Sequence, residues 1–261
     1  MIEYPNISPE ILKIGPFAIR WYGLMYLIGF MCSYLLVRFL LKERKIKYDK
    51  DFVESLFSYL IIGLLIGARL GYVIFYNLSH YLQHPLEIFA IWYGGMSFHG
   101  GLIGAVIGGI LFCKKFRIDF WQTSDIIILT APIGIGLGRI GNFINAELYG
   151  RPTNSPLAMI FPTDPLRIPR HPSQLYEFFF EGVVLFIILW SIRNKNLPKG
   201  AITSLFIGLY GVFRFFIEFF REPDGHIGYF FGFITLGQIL CILMIITAFI
   251  LNNFIIRLNQ K

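Results

Sequence analysis

The chain has 261 residues, of which 56% are hydrophobic, 18% aromatic and only 15% charged, and its mean hydropathy is +0.63. A soluble globular chain carries about 25% charged residues, so this composition excludes an ordinary soluble domain and also a soluble domain with a single anchor. The formal net charge of +7 raises nucleic acid as a partner, a question that the position of the charges answers below.

A membrane-spanning helix needs about 20 mostly apolar residues. Seven stretches qualify: Phe17–Leu41, Phe52–Tyr76, Ser97–Phe116, Gln122–Gly138, Gln174–Ile192, Ala201–Phe220 and Thr235–Ile256. The expected fold is therefore all-α, a polytopic membrane bundle of about seven transmembrane helices. It is expected to form a single transmembrane domain over 1–261, with a small outer-face loop region at about 139–173. The first apolar run is longer than the core of a signal peptide, and no small-x-small cleavage pattern follows it. It is expected to remain as the first span. Cys32, Cys113 and Cys241 sit in or at the end of apolar runs, without metal-type spacing, and read as packing residues.

Basic residues in short loops set the orientation. Lys42, Arg44, Lys45, Lys47 and Lys50 follow the first stretch. Lys114, Lys115 and Arg117 follow the third, Arg193, Lys195 and Lys199 the fifth, and Arg257 and Lys261 the last. The loop from Asn77 to Tyr93 has no Lys or Arg. With seven spans, the basic loops share one side, placing the N-terminus outside and the C-terminus in the cytoplasm. Much of the excess charge thus orients the protein and meets anionic lipid, and no nucleic-acid module is seen. The outer loop carrying Arg151, Arg167 and Arg170 runs against the rule and needs a reason other than topology.

Gly63, Gly67 and Gly71 form one stripe, and Gly100, Gly104 and Gly108 another, at the spacing that lets helix backbones approach closely in lipid. Around Arg139, the glycine-rich stretch Gly134–Gly141 reads as a weakened or broken helix near the outer surface. No inverted repeat of the transporter kind is found.

Ionisable groups inside spans are costly and are functional candidates by default. In the derived orientation Arg69, Arg139, Arg214 and Glu218 fall in the outer half, and so do Tyr22, His99, Tyr176, Glu177 and Glu181. This sorting implies a polar cavity open to the outer leaflet or to the space outside.

Three clusters stand out. Tyr210, Arg214 and Glu218 follow at i, i+4, i+8 on one helix face, which fits equally a positioned guanidinium and a self-neutralising structural pair. The run Gly138-Arg139-Ile140-Gly141-Asn142-Phe143-Ile144-Asn145-Ala146-Glu147 gathers an arginine, two amides and a carboxylate. Arg139 and Arg214 then share one cavity, and their rigid forks suit phosphate oxygens. Glu147 and Glu218 are the alternative, compensating partners. The third cluster, Gly94-Gly95-Met96-Ser97-Phe98-His99-Gly100-Gly101, brackets a histidine with paired glycines at a helix start. There, the glycines permit close backbone approach and helix-start amides attract anions, which makes Gly95 and Ser97 binding candidates. His99 is able to act as a base near neutral pH, although a lone histidine is more often a hydrogen-bonded structural residue. At the entry to the fifth stretch, Ser173 reads as a helix cap and Pro172 as a turn residue.

At these residues the chain resembles the prolipoprotein diacylglyceryl transferase family. The matching stretches are Trp21–Leu24, Gly67–Tyr72, Gly94–Gly101, Gly138–Gly150, Arg170–Glu177 and Tyr210–Asp224, and Gly-Arg-Ile-Gly-Asn-Phe-Ile-Asn is the most specific of them. The resemblance implies transfer of the diacylglyceryl group of phosphatidylglycerol to the lipobox cysteine thiol of a prolipoprotein, forming a thioether and releasing glycerol phosphate. It implies a bacterial cytoplasmic (inner) membrane location, with the active site toward the outer leaflet. The family's essential arginines align with Arg139 and Arg214 and its important histidine with His99. Its associated residues align with Tyr22, Asn142, Glu147, Gly150, Tyr210 and Glu218. The implied partners are phosphatidylglycerol, the lipobox segment and membrane lipids. No cofactor or metal is expected, and no covalent enzyme intermediate is needed. The competing readings are an anion transporter, which should carry ionisable residues through the full membrane depth, and a structural scaffold, which has no use for paired arginines at one depth.

Overall fold

The computed structural model describes residues 1–5, 7–15, 17–46, 51–223, 229–230 and 233–259. Of the residues singled out above, Lys47, Lys50, Asp224 and Lys261 lie outside the described ones. The chain divides into two compact units, Met1–Val37 with Asp125–Lys261, and Arg38–Ser124.

The first unit opens on an antiparallel hairpin of β1 (Glu10–Ile14) and β2 (Phe17–Arg20), which leads directly into α1 (Trp21–Glu43). The sequence reading had continued the first span back to Phe17. Pairing of Glu10 with Arg20 and of Leu12 with Ile19 instead holds residues 17–20 extended.

In the second unit, α2 (Phe52–Tyr76) packs along α4 (Phe98–Phe116), with the short α3 (Leu78–Gln83) between them in sequence. The two glycine stripes face each other. A Cβ added at Gly67 would collide with the Gly100 carbonyl and stand 2.7 Å from Gly104 Cα. Contact is thus backbone on backbone, the form of packing that works where lipid removes the hydrophobic drive. Phe112 is fully buried beneath this pair, edge-on to Phe52 at 5.1 Å between ring centres.

The predicted fourth span is two helices, α5 (Phe120–Ile128) and α6 (Ala131–Ile144), bent by 41°. The break lies at Leu129–Thr130, and Gly134–Gly141 is continuous helix, contrary to the expectation of a break there. The cause is local. Pro132 has no N–H to offer Ile128, and Thr130 Oγ1 turns back to the Ile127 carbonyl at 2.7 Å.

The fifth span runs over Ser173–Ile192 as α7 (Ser173–Glu177), a π-helical segment Phe178–Val184 and α8 (Leu185–Ile192). Ser173 is not the cap. Pro172 precedes the helix without a capping bond, and Ser173 Oγ donates to the Leu148 carbonyl at 3.0 Å. The sixth stretch, α9 (Ala201–Ile217), ends three residues earlier than expected and packs along α10 (Leu236–Asn259). Its start is held by buried Asp125, which accepts from Gly200 N at 2.7 Å and Thr203 N at 2.8 Å. Two further two-stranded ribbons, β3 (Met159–Ile160) with β4 (Pro169–Arg170) and β5 (Tyr229–Phe230) with β6 (Ile234–Thr235), complete this unit.

Among the described residues, five helices are long and apolar enough to cross a membrane, and the bent α5–α6 pair is a sixth candidate span. The chain is a mainly helical, multi-pass membrane protein.

Candidate active site

The first unit brings a set of charges together inside the apolar helices. Arg139 projects from α6, and Glu177 and Glu181 from the fifth span. Close approach of these two elements is what lets the side chains meet. A Cβ on Gly182 would sit 2.9 Å from Gly136 Cα, so only glycine permits this helix spacing. Arg214 comes from the last turn of α9, and Glu218 and Arg221 from just beyond it.

Glu177 is the hub. Its Oε2 lies 2.8 Å from Arg139 Nε, and its Oε1 accepts from Arg214 Nη1 at 2.6 Å and from Arg221 Nη1 at 3.4 Å. Glu181 stands 3.6 Å from both Arg139 Nη2 and Arg214 Nη1, and neither of its oxygens has a hydrogen bond among the described residues. Glu218 pairs with Arg214 Nη2 at 3.0 Å and accepts from Thr235 Oγ1 at 3.1 Å. Gly237 leaves room for that carboxylate, because a Cβ there would overlap it. Tyr210 lies in electrostatic reach of Arg139, Arg214, Glu177 and Glu181.

Exposure divides this cluster into a front and a back. The Arg139, Arg214 and Arg221 side chains are 20%, 14% and 15% exposed, whereas those of Glu177 and Glu181 are 1% and 0% exposed. Buried carboxylates thus align guanidinium forks that are themselves partly exposed. Such donors, fixed before the reaction, suit an anion whose charge grows on bond breaking.

The second sequence cluster meets this one along α6. Asn142 is buried, and its Nδ2 donates to Glu147 Oε1 at 2.9 Å; Asn145 Nδ2 donates to the same oxygen at 3.2 Å. Glu147 therefore serves the amides; of the two alternative counter-ions, only Glu218 pairs with an arginine among the described residues, and Glu177 takes the place of Glu147. Tyr22 lies in electrostatic reach of Glu147 and Asn142, and its ring packs where Gly141 has no side chain. Its hydroxyl bonds to that of Tyr26 at 3.1 Å.

The loop after α6 is clamped by two of the three arginines that ran against the charge rule, Arg151 and Arg170. Arg170 Nε donates to Asp164 at 2.6 Å and Nη1 to Glu222 at 3.1 Å, over the Tyr149 ring at 5.0 Å. The Arg170 guanidinium holds the Asp164 carboxyl below the usual carboxylate range. Arg151 Nε donates to the Arg221 carbonyl at 2.8 Å. His171 Nδ1 lies 3.1 Å from the Tyr176 hydroxyl, and burial pushes its imidazole below its ordinary pKa. These interactions supply the structural reason for the basic stretch that topology did not.

The glycine-bracketed histidine belongs to the second unit. His99 is exposed in the first turn of α4, its ring 5.6 Å from that of Phe98. Ser97 caps this helix, accepting from Gly100 N at 3.2 Å. Gly94 and Gly95 have φ of +83° and +76°, backbone that favours glycine. Arg69 is buried and donates to the carbonyls of Glu87, Ile88, Ala90, Gly94 and Gly95, which fixes this loop. Arg69 is thus a structural clamp on the loop that leads to His99.

The family model for prolipoprotein diacylglyceryl transferase matches residues 9–254. The chain belongs to that family. A Desulfotalea psychrophila protein named phosphatidylglycerol–prolipoprotein diacylglyceryl transferase is 52% identical over 98% of this chain and 96% of its own. Proteins of the same name from Pseudomonas putida and Francisella tularensis are 49% and 48% identical, covering 95% and 100% of this chain and 94% and 98% of their own. These relatives are transferases, and this chain is an enzyme of that class. Glu177 was visible to sequence reasoning only as one of several carboxylates in the spans. Its spacing of four residues from Glu181 on an apolar helix was the available signal.

Proposed function

We propose that this chain transfers the diacylglyceryl group of phosphatidylglycerol to the lipobox cysteine thiol of a prolipoprotein, giving a thioether and glycerol phosphate. The observation that carries the reading is the pair of partly exposed guanidinium groups, Arg139 and Arg214, aligned on buried Glu177. In the reaction the thiolate sulfur attacks the glyceryl carbon, and the carbon–oxygen bond to phosphate breaks. The bonding pair leaves with the phosphate oxygen, so negative charge grows there. Arg139 and Arg214 stabilise that charge more in the transition state than in the ground state. The thiol proton must depart because the thiolate is the nucleophile, and His99 is assigned as its acceptor. Asn142, Tyr22, Tyr210, Gly95, Ser97, Glu147 and Glu218 are assigned to binding phosphatidylglycerol.

The same reading takes residues 1–261 as one enzyme domain with a small outer loop region at 139–173. It counts seven spans, adding the shorter apolar helix Ala201–Ile217 to the five long helices and the bent pair. An odd count puts the termini on opposite sides, and the basic residues after α1, α4, α8 and α10 then share the cytoplasmic side. The proposed location is the bacterial inner membrane, with the site toward the outer leaflet. The test is the purified protein in vesicles of phosphatidylglycerol with a lipobox peptide, read by peptide mass. A peptide gaining one diacylglyceryl group is expected. An unchanged peptide, or one modified from phosphatidylcholine vesicles alone, would refute the reading.

A further inference from the structure

Arg221 stands outside the residues assigned to phosphate above, and its placement is specific. It follows the end of α9, yet its backbone is fixed from three directions. Arg221 N donates to Ile217 O at 3.2 Å, its carbonyl accepts from Arg151 Nε at 2.8 Å, and it bridges to Gly150. Next to it, the Phe220 carbonyl accepts from Arg151 N at 2.9 Å. The side chain is nevertheless little used. Of the five donors of a guanidinium, one reaches a protein acceptor among the described residues, Glu177 Oε1 at a long 3.4 Å. That oxygen is already held by Arg214 at 2.6 Å. A guanidinium added only to neutralise Glu177 would be redundant, since Arg139 and Arg214 make the short contacts.

Resting on the reading of this site as a phosphatidylglycerol site, we infer that Arg221 is a third phosphate-binding residue, which grips the lipid phosphate with its unspent donors. Gly150 acts through it as a positioning residue. A Cβ at Gly150 would overlap the Phe220 carbonyl and stand 2.8 Å from His171 Cβ. Any side chain there pushes the Phe220–Arg221 backbone away and carries the guanidinium out of register. Gly150 has no positive φ among the described glycines, so close approach, not backbone conformation, is its requirement.

The test measures initial transfer rate against the mole fraction of phosphatidylglycerol in phosphatidylcholine vesicles, for wild type and for Arg221→Gln, Arg221→Lys and Gly150→Ala. Inhibition by soluble glycerol phosphate and the thermal midpoint are measured in parallel. Loss of a charged hydrogen-bond partner predicts a tenfold or greater rise in the half-saturating phosphatidylglycerol fraction for Arg221→Gln. Inhibition by glycerol phosphate should weaken alongside. Arg221→Lys should fall between, because an ammonium lacks the fork, and Gly150→Ala should raise half-saturation in the same direction. An unchanged half-saturating fraction in Arg221→Gln, with a lowered thermal midpoint, makes Arg221 a structural counter-ion and overturns the inference. A change confined to soluble glycerol phosphate places Arg221 on the released product and overturns the lipid assignment. Absence of transfer by wild type refutes the proposed function instead. Arg221 is then judged by glycerol phosphate binding alone, where equal affinity in wild type and Arg221→Gln overturns it.

Discussion

Replacing Glu177 by glutamine keeps the shape of the side chain and removes the charge on which Arg139, Arg214 and Arg221 converge. The short contacts are 2.8 Å to Arg139 and 2.6 Å to Arg214. At an effective dielectric of about 20, unit charges about 4 Å apart interact by about 4 kcal/mol, and removing one partner of a buried pair costs about 3–5 kcal/mol. Part of that loss falls on the fold, and part on the alignment of the forks, which repel one another once the carboxylate charge is gone. Misplacement of catalytic groups by about 1 Å costs about 100-fold in rate, so transfer by Glu177→Gln should fall at least that far, with a lower thermal midpoint. Glu181→Gln is the internal comparison. Its carboxylate makes no hydrogen bond among the described residues and stands 3.6 Å from its nearest guanidinium groups, farther than Glu177 does, so its loss should cost transfer less than that of Glu177. Rates are read from peptide mass in phosphatidylglycerol vesicles, and stability from thermal unfolding of the same preparation. Wild-type rate and midpoint in Glu177→Gln would refute the reasoning. Equal damage in the two variants would show that total charge matters and contact does not.

Arg139→Ala should abolish thioether formation while the protein still inserts, and Arg214→Lys should be severely impaired because an ammonium cannot replace a two-pronged fork; normal turnover by either in purified membranes counts against its assignment. His99→Gln keeps a donor and loses the base, so the transfer rate should fall sharply. A pH-dependent rate that survives in that variant demotes His99 to positioning. Asp164 is held below the ordinary carboxylate range by Arg170. Its stabilisation is therefore fully present above the ordinary pKa of about 4 and is lost as pH falls through the lowered folded value. Asp164→Asn should lower the thermal midpoint at pH 7 and flatten the acid limb, a comparison that a pH series of unfolding curves settles.

Much of this protein is legible along the chain. Apolar runs of span length identify the long helices, since lipid leaves a backbone no other way to satisfy its polar groups. The bounds of α2, Phe52–Tyr76, match the reading from sequence to the residue. The glycine stripes meet as their spacing implied, and Arg139 and Arg214 do converge. The misses have specific causes. The bend in the fourth span follows from Pro132 and the Thr130 turn, not from the glycines of Gly134–Gly141, because glycine permits a break without imposing one. Ser173 was read as a cap from its type and position, but its hydroxyl is taken by the Leu148 carbonyl, 25 residues away in sequence.

By itself the sequence determined which segments are apolar enough to enter lipid and which residue types are candidates for the site, because both follow from local composition and from the cost of burying charge. Only the tertiary structure decided which charge faces which. The choice of Glu177 over Glu147 as the arginines' partner depends on helix spacing at Gly136 and Gly182. The arrival of Arg221 depends on a backbone bridge at Gly150. Such pairings turn on ångström-scale distances between segments far apart in sequence, and no period or motif encodes those distances.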